Sequence, residues 1–140
     1  MMNSSLLFLL IAIAIVGILV FVAISITSKK RYSFDKEEYQ TAWLRIENGL
    51  DKENKATYNN VIIEADKLLD RALNEMGVPG KTMGERLKRS GSRFSQLNAV
   101  WYAHKLRNQI AHEHGFSAEY TQAKHALSSF KQALKDLEAI

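Results

Sequence analysis

The sequence predicts an all-α protein, in which an N-terminal single transmembrane helix is followed by an antiparallel four-helix bundle with one extra short helix. Three observations support this fold class. Residues 5–27 contain no charged side chain. In the rest of the chain, apolar residues recur at spacings of three and four, and no stretch alternates long enough to indicate a β-strand. The connections between these helices are short, which favours antiparallel neighbours.

The uncharged segment, residues 5–27, has the length of a membrane anchor. A helix of 23 residues spans roughly 34 Å at about 1.5 Å per residue, and the hydrocarbon core of a bilayer is about 30 Å thick. A signal peptide is the alternative. An uncleaved anchor is favoured because no basic residue precedes the segment and no small-residue cleavage pattern follows it. We assign residues 1–28 to the anchor.

The residues that follow the anchor predict its orientation. Residues 29–33 form a basic juxtamembrane linker with Lys29, Lys30 and Arg31, whereas no basic residue precedes the anchor. The positive-inside rule therefore predicts a single-pass protein of the cell membrane, with its N-terminus outside and its C-terminal domain in the cytoplasm. The chain has no cysteine, which removes disulfides, thiolate metal sites and cysteine nucleophiles from consideration.

Residues 34–140 are long enough for one helical domain with a single core. The first predicted bundle helix covers 34–48, with Gly49 at its C-cap. The second begins with Asp51 as N-cap and ends at "GVPG". Its apolar face consists of Tyr58, Ile62, Ala65, Leu69, Ala72 and Met76, and the first helix shows the same rhythm at Tyr39, Trp43, Ile46 and Leu50.

Three further helices complete the predicted bundle. Thr82 and Glu85 have the spacing of a capping box and predict the extra short helix. The next helix covers roughly 94–114 and ends at Gly115, and Ser117 is the predicted N-cap of the last one. The apolar face of the last helix is Tyr120, Ala123, Leu127, Phe130, Leu134 and Leu137.

The helix over 94–114 carries polar residues where apolar ones are expected. On a helical wheel, His104, Arg107 and Asn108 fall inside a broad apolar arc, with His112 on its rim. An arc this wide predicts contact with both the bundle and a second copy of the chain, so we expect a homodimer. Asn108 and His112 lie one turn apart, so the amide is expected to orient the imidazole.

The stretch "LRNQIAHE", with Arg107, the polar Asn108 and then His112 after four intervening residues, resembles the signature of HEPN domains. Residues 61–88 also resemble the second helix and following turn of one HEPN-like group. The resemblance implies metal-independent cleavage of RNA, without a cofactor, by a dimer that brings two copies of the motif together. Arg107, Asn108 and His112 would be the catalytic residues. The transmembrane anchor is a departure from the soluble members of the family.

These residue types suit attack of a ribose 2′-hydroxyl on the adjacent phosphate. Imidazole exchanges protons near neutrality, with a reference pKa of about 6.5. A guanidinium group is a permanent cation that can bind phosphate oxygens through several donors. Two readings without cleavage stay open: a dimerising interaction module that recruits a partner, such as a cognate antitoxin or an adaptor protein, to the membrane, and a polar network that only sets helix register.

Residues 81–93 carry a local excess of positive charge, with a net charge of +4. Such a segment is expected to bind an RNA backbone or anionic lipid headgroups weakly, or to be a solvated loop without a partner. No metal site is predicted, because His104 and His112 have neither a cysteine nor a carboxylate at suitable spacing. The residues assigned to weak RNA binding are Lys81, Arg86, Lys88, Arg89, Arg93 and His104.

Overall fold

The computed structural model describes residues 3–27 and 32–140, so the basic residues Lys29, Lys30 and Arg31 of the predicted linker lie outside the described part. Within these ranges the chain contains six α-helices and no strand. The helices are α1 (Ser4–Thr27), α2 (Lys36–Asn48), α3 (Ala56–Glu75), α4 (Met83–Arg89), α5 (Leu97–His112) and α6 (Tyr120–Asp136), and a 3₁₀ turn (Gly91–Arg93) follows α4.

Helix α1 belongs to a structural unit of its own, separate from residues 33–140. Its segment Ser4–Ile24 is long and apolar enough to cross a membrane, a criterion that a signal sequence also meets. The side chains of residues 4–24 are exposed all around the helix. A helix that is apolar on every side and buries none of its side chains in protein is suited to the hydrocarbon core of a membrane.

The second unit, residues 33–140, is the predicted helical bundle. Helix α3 is central and packs against α2, α4, α5 and α6, and α5 also packs against α6. The four long helices form the antiparallel bundle and α4 is the extra short helix, so the predicted fold class is confirmed. The 3₁₀ turn between α4 and α5 was not predicted from the sequence.

The apolar faces predicted from the three-four rhythm form the core. All six predicted positions of α3 are buried, as are Tyr39 and Trp43 of α2. In α6 every predicted position is buried except Tyr120, which is half-buried. Ile46 and Leu50 are also only half-buried, because they lie where α2 ends. Such burial provides most of the stability of a helical bundle, at roughly 25 cal/mol per Å² of apolar surface removed from water.

The predicted N-cap of α3, Asp51, is wrong because the helix begins five residues later, at Ala56. The Asp51 carboxylate accepts from the backbone N–H of Glu53 at 3.0 Å, and Asn54 likewise accepts from Ala56 at 3.1 Å. The Thr57 hydroxyl donates to the Asn54 carbonyl. These local hydrogen bonds offer the backbone an alternative to the helix, so Asp51 stabilises a turn instead.

The predicted N-cap of α6, Ser117, is also wrong, since the helix begins at Tyr120 with Glu119 as N-cap. The backbone N–H of Ala118 donates to the Asn59 side chain of α3 at 2.9 Å, and Ala118 is buried. This contact packs the connection between α5 and α6 against α3, and α6 begins only after it. The Gln122 side chain then accepts from the Glu119 backbone N–H.

The other helix ends are close to their predicted positions. Asp35 caps α2 by accepting from the Glu38 N–H at 3.0 Å. The Thr82 hydroxyl accepts from the Glu85 N–H as predicted, whereas the Glu85 carboxylate reaches back to the N–H of Lys81 and not to that of Thr82. Helix α5 is shorter than the predicted 94–114, and Gly115 follows it with a positive φ of 78°.

Candidate functional site

The polar residues of α5 are divided between the bundle interior and its surface. His104 is buried, Arg107 and Asn108 are half-buried, and His112, the last residue of the helix, is exposed. The helical wheel therefore predicts the inward position of the first three residues correctly. The structure adds their partner, because all three join a polar ring closed by Asp66 of α3.

Asp66 and His104 form the buried half of this ring. Asp66 Oδ1 lies 2.8 Å from His104 Nδ1, and His104 Nε2 lies 3.2 Å from Asn108 Nδ2. Because an ionised carboxylate only accepts hydrogen bonds, Nδ1 carries the proton and donates to Asp66. Nε2 is then free to accept from the Asn108 amide, so the partners assign the histidine tautomer.

Arg107 closes the ring on its more exposed side. Its Nη1 donates to Asn108 Oδ1 at 3.1 Å, and its Nε lies 3.6 Å from Asp66 Oδ2. The Arg107 side chain is 30% exposed, whereas that of Asp66 is 4% exposed. The charge of the buried carboxylate is thus balanced by a guanidinium group that still reaches solvent.

Sequence reasoning missed Asp66, although the sequence contains a signal for it. Asp66 lies four residues after Ile62 and three before Leu69, so it falls on the apolar face of α3. An aspartate is rarely buried without a partner, which predicts a cation or donor on a facing helix. The resemblance to HEPN domains includes residues 61–88, but it assigns no role to Asp66 within that range.

Helix α4 covers the ring from another side. A Cβ atom added to Gly84 would lie 3.5 Å from His104 Nε2, so the backbone of α4 approaches the imidazole closely. The indole of Trp101 stands edge-on to the same imidazole, with 6.0 Å between the ring centroids. His104 is therefore packed as well as hydrogen-bonded.

His112 stands apart from the ring. The expected orientation of the imidazole by Asn108 is wrong: the Asn108 amide forms hydrogen bonds with His104 and Arg107, and the His112 side chain makes no hydrogen bond within residues 32–140. The imidazole lines a shallow surface depression instead. The other residues around this depression are Tyr102, Lys105, Leu106, Asn108, Gln109 and Glu113.

The broad apolar arc of α5 is largely covered by the bundle itself. Val100, Ala103 and Leu106 are buried, and Ile110 is half-buried. In the last turn, Ala111 and His112 are exposed. The surface of α5 that is available to a second copy of the chain therefore includes this last turn and the depression beside it.

The basic residues of 81–93 lie on α4 and the 3₁₀ turn, and they differ in their contacts. Arg86 donates to both carboxylate oxygens of Asp70, at 2.7 and 2.9 Å, and also to the carbonyl of Gly80. The hydrogen bond to Asp70 raises the pKa of Arg86 above its ordinary value. Lys81, Lys88, Arg89 and Arg93 are exposed. Arg86 thus has an intramolecular role that the sequence did not reveal.

The part of the chain that the structure describes contains no group of three or more histidine and acidic side chains placed to hold a metal ion. The chemistry available at α5 is a permanent cation, an amide held by hydrogen bonds, and an exposed imidazole one turn away. These groups can bind an anion and exchange a proton with it.

No family model, no curated protein and no solved structure matches this chain. The likeness to HEPN domains therefore rests on the residues of α3, α4 and α5 quoted above.

Proposed function

We propose that this protein is a membrane-anchored, HEPN-like RNA-binding protein that cleaves RNA without a metal at Arg107, Asn108 and His112. One observation carries the proposal: the ring holds Arg107 and Asn108 in place, while the neighbouring imidazole of His112 is exposed and makes no hydrogen bond within residues 32–140. Helix α1 anchors the chain as a single-pass segment, with the bundle in the cytoplasm.

The proposed reaction joins the ribose 2′-oxygen to the adjacent phosphorus and breaks the bond from phosphorus to the 5′-oxygen. The products are a 2′,3′-cyclic phosphate and a 5′-hydroxyl. His112 accepts the proton of the 2′-hydroxyl, and a second group returns a proton to the leaving oxygen. Arg107 binds the phosphate oxygens on which negative charge develops.

A second copy of the chain completes the site in this proposal. Because His104 is buried in the ring, one chain offers a single exposed imidazole on α5. The His112 of a partner chain supplies the second proton transfer. The exposed last turn of α5 supports contact at this place, since Ala111 and His112 are exposed there and Ile110 is only half-buried.

The test uses the full chain, solubilised in detergent, with RNA substrates of varied sequence. We expect His112→Ala to lower the cleavage rate at least about a hundredfold, because general acid–base catalysis typically contributes that much. The melting temperature and the dimer should be unchanged, since His112 is exposed. His114→Ala, which removes an exposed imidazole outside the motif, is the matched control and should cleave like the wild type.

The product ends and the metal requirement give independent readouts. A cyclic phosphate is expected on the product, and cleavage should persist with a chelator present. Equal rates for the wild type and the His112→Ala variant, or no cleavage by a demonstrably dimeric wild type, would count against the enzyme and favour the second candidate.

The second candidate is a non-catalytic interaction module that recruits a partner, an antitoxin or an adaptor protein, to the membrane. The closed ring favours it, because Asn108 uses both ends of its amide within the ring. Such a network can position helices without any chemistry. On this reading Arg107→Gln lowers the melting temperature and leaves RNA binding unaffected, whereas loss of RNA binding at an unchanged melting temperature contradicts it.

A further inference from the structure

Residues 81–93, which we call the α4 basic segment, carry five cations, of which Arg86 pairs with Asp70 and the other four pair with no acidic side chain of the described residues. Lys81, Lys88, Arg89 and Arg93 are exposed, and none of them forms an ion pair within the described residues 32–140. The one carboxylate of the segment, Glu85, accepts from the backbone N–H of Lys81. The segment is therefore an uncompensated positive surface.

Several other cations of the bundle are paired. Lys67 contacts Glu64 at 2.9 Å, and Lys131 contacts Glu47 at 2.8 Å. Arg71 pairs with two glutamates, Glu38 and Glu75. Residues 32–80 and 94–140 together carry a net charge of −3, against +4 for the α4 basic segment. The charge of the bundle is thus distributed asymmetrically. An anionic surface would orient the bundle so that this segment faces the surface.

The segment is held firmly in place. Its apolar residues Met83 and Leu87 are buried, and so is Phe94, which follows the 3₁₀ turn. The paired contacts of Arg86 with Asp70 join α4 to the central helix α3. The free cations consequently lie on a preformed surface, and binding does not require the backbone to become ordered.

We infer that the α4 basic segment docks on anionic lipid headgroups of the membrane that α1 spans. This inference rests on the anchoring part of the proposed function and is independent of the RNA site on α5. A chain anchored in a bilayer keeps its bundle close to the headgroups, so the effective concentration of lipid phosphate is high. Each basic side chain near an anionic surface favours the docked state by about fivefold.

The composition of the segment favours lipid over RNA. Residues 81–93 contain no aromatic side chain. Sites for single-stranded nucleic acid combine cations with aromatic side chains on which bases stack, whereas headgroup binding needs only the positive charge. The aromatic residue that is exposed on α5, Tyr102, lies outside the segment.

The test uses the full chain in lipid nanodiscs and exploits the absence of cysteine. Ser92→Cys places a single fluorophore on the 3₁₀ turn, and Ser128→Cys places it on α6; both serines are exposed. Headgroups that carry a quencher report the distance to the bilayer. We expect quenching at position 92 in nanodiscs that contain phosphatidylglycerol but not in pure phosphatidylcholine, with little quenching at position 128 in either.

Charge variants identify the residues responsible. Combining Lys88→Gln, Arg89→Gln and Arg93→Gln should lower the ratio of docked to undocked protein on the order of a hundredfold. The control combines Lys52→Gln, Lys124→Gln and Lys135→Gln, which remove the same charge from exposed sites elsewhere and should leave quenching unchanged. High salt should weaken docking of the wild type, because it screens exposed charges.

Three results would overturn the inference, and they are distinguishable. A chain that floats with neutral liposomes but shows no quenching that depends on anionic lipid overturns docking alone. A chain that does not float overturns the anchor and docking together. If the charge variant keeps its quenching but loses binding of an RNA oligonucleotide, the segment is an RNA surface instead.

Discussion

Asp66 is the residue on which the polar ring depends, because its carboxylate accepts from His104 and balances the charge of Arg107. A buried ion pair adds little net stability when it forms, but removing one partner leaves the other without compensation. The ring therefore makes α3 and α5 sensitive to single substitutions that change few apolar contacts.

We predict that Asp66→Ala lowers the free energy of unfolding by about 3 kcal/mol, since it leaves His104 without its acceptor and Arg107 without the carboxylate that balances its charge. Glu64→Ala is the control on the same helix. Glu64 forms an exposed pair with Lys67, so its loss should cost less than about 1 kcal/mol. Urea unfolding of the full chain in detergent, followed by circular dichroism, measures both values. Equal effects of the two substitutions would show that the ring contributes no more than a surface pair.

The helical wheel could predict which residues of α5 face inward, because side-chain direction follows from position along the helix. It could not predict which polar group each would meet. Asp66 and His104 are 38 positions apart in the chain. Asn108 hydrogen-bonds to His104, one turn earlier on the same helix, and not to His112, whose imidazole it was expected to orient.

Among the helices, the long apolar faces were easier to predict than the first residues. Asp35 and Asp51 are equally suitable N-caps by residue type, yet only Asp35 accepts from an N–H of the following helix. Near Asp51, the side chains of Asn54 and Thr57 form competing hydrogen bonds with the backbone. Residue type alone does not distinguish these outcomes.

Asp136 joins the last turn of α6 to the residue that precedes α5 by two positions. One of its carboxylate oxygens accepts from both the backbone N–H and the hydroxyl of Ser95, at 2.7 and 2.8 Å, and the other accepts from Gln132. Burial raises the pKa of Asp136, but the hydrogen bonds from Gln132 and Ser95 outweigh this effect and lower it below 3.8. The ionised form is therefore stabilised by folding.

Because the pKa of Asp136 is lower in the folded protein, its stabilisation is complete above the unfolded value near 3.8 and is lost as the pH falls through the folded value. Asp136→Asn should lower the free energy of unfolding by about 1–2 kcal/mol at neutral pH. The difference from the wild type should shrink at an acidic pH below 3.8, where the carboxylate of the folded protein becomes protonated. Urea unfolding at both pH values tests this prediction, and a difference that grows on acidification would contradict it.

For the chain as a whole, the exposed surface of α1 is apolar, whereas that of the bundle is mainly polar. The large apolar side chains that α1 exposes contrast with the bundle, where the exposed large apolar side chains among residues 32–140 are Leu44 and Tyr102, at 55% and 39% exposure. This difference is expected if α1 meets lipid and the bundle meets water.

We predict that a cytoplasmic reporter fused after Ile140 is active and that a reporter requiring an oxidising compartment is inactive. The reason is the basic cluster Lys29, Lys30 and Arg31, which follows an uncharged segment. Replacing the three residues with glutamine should reduce the preference for this orientation. Release of a shortened, soluble chain outside the cytoplasm would identify the segment as a signal peptide.

Local pattern was sufficient for the α-helical class, for the membrane-spanning length of α1, and for the apolar faces that form the bundle core. These features depend on residues a few positions apart, so their period is visible in one dimension. Packing decided the rest: the carboxylate that closes the ring, the pairing of Arg86 with Asp70, and the exposure of His112. The first two depend on groups brought together from different helices, and only the folded backbone determines which donor meets which acceptor, whereas His112 is exposed at the end of α5.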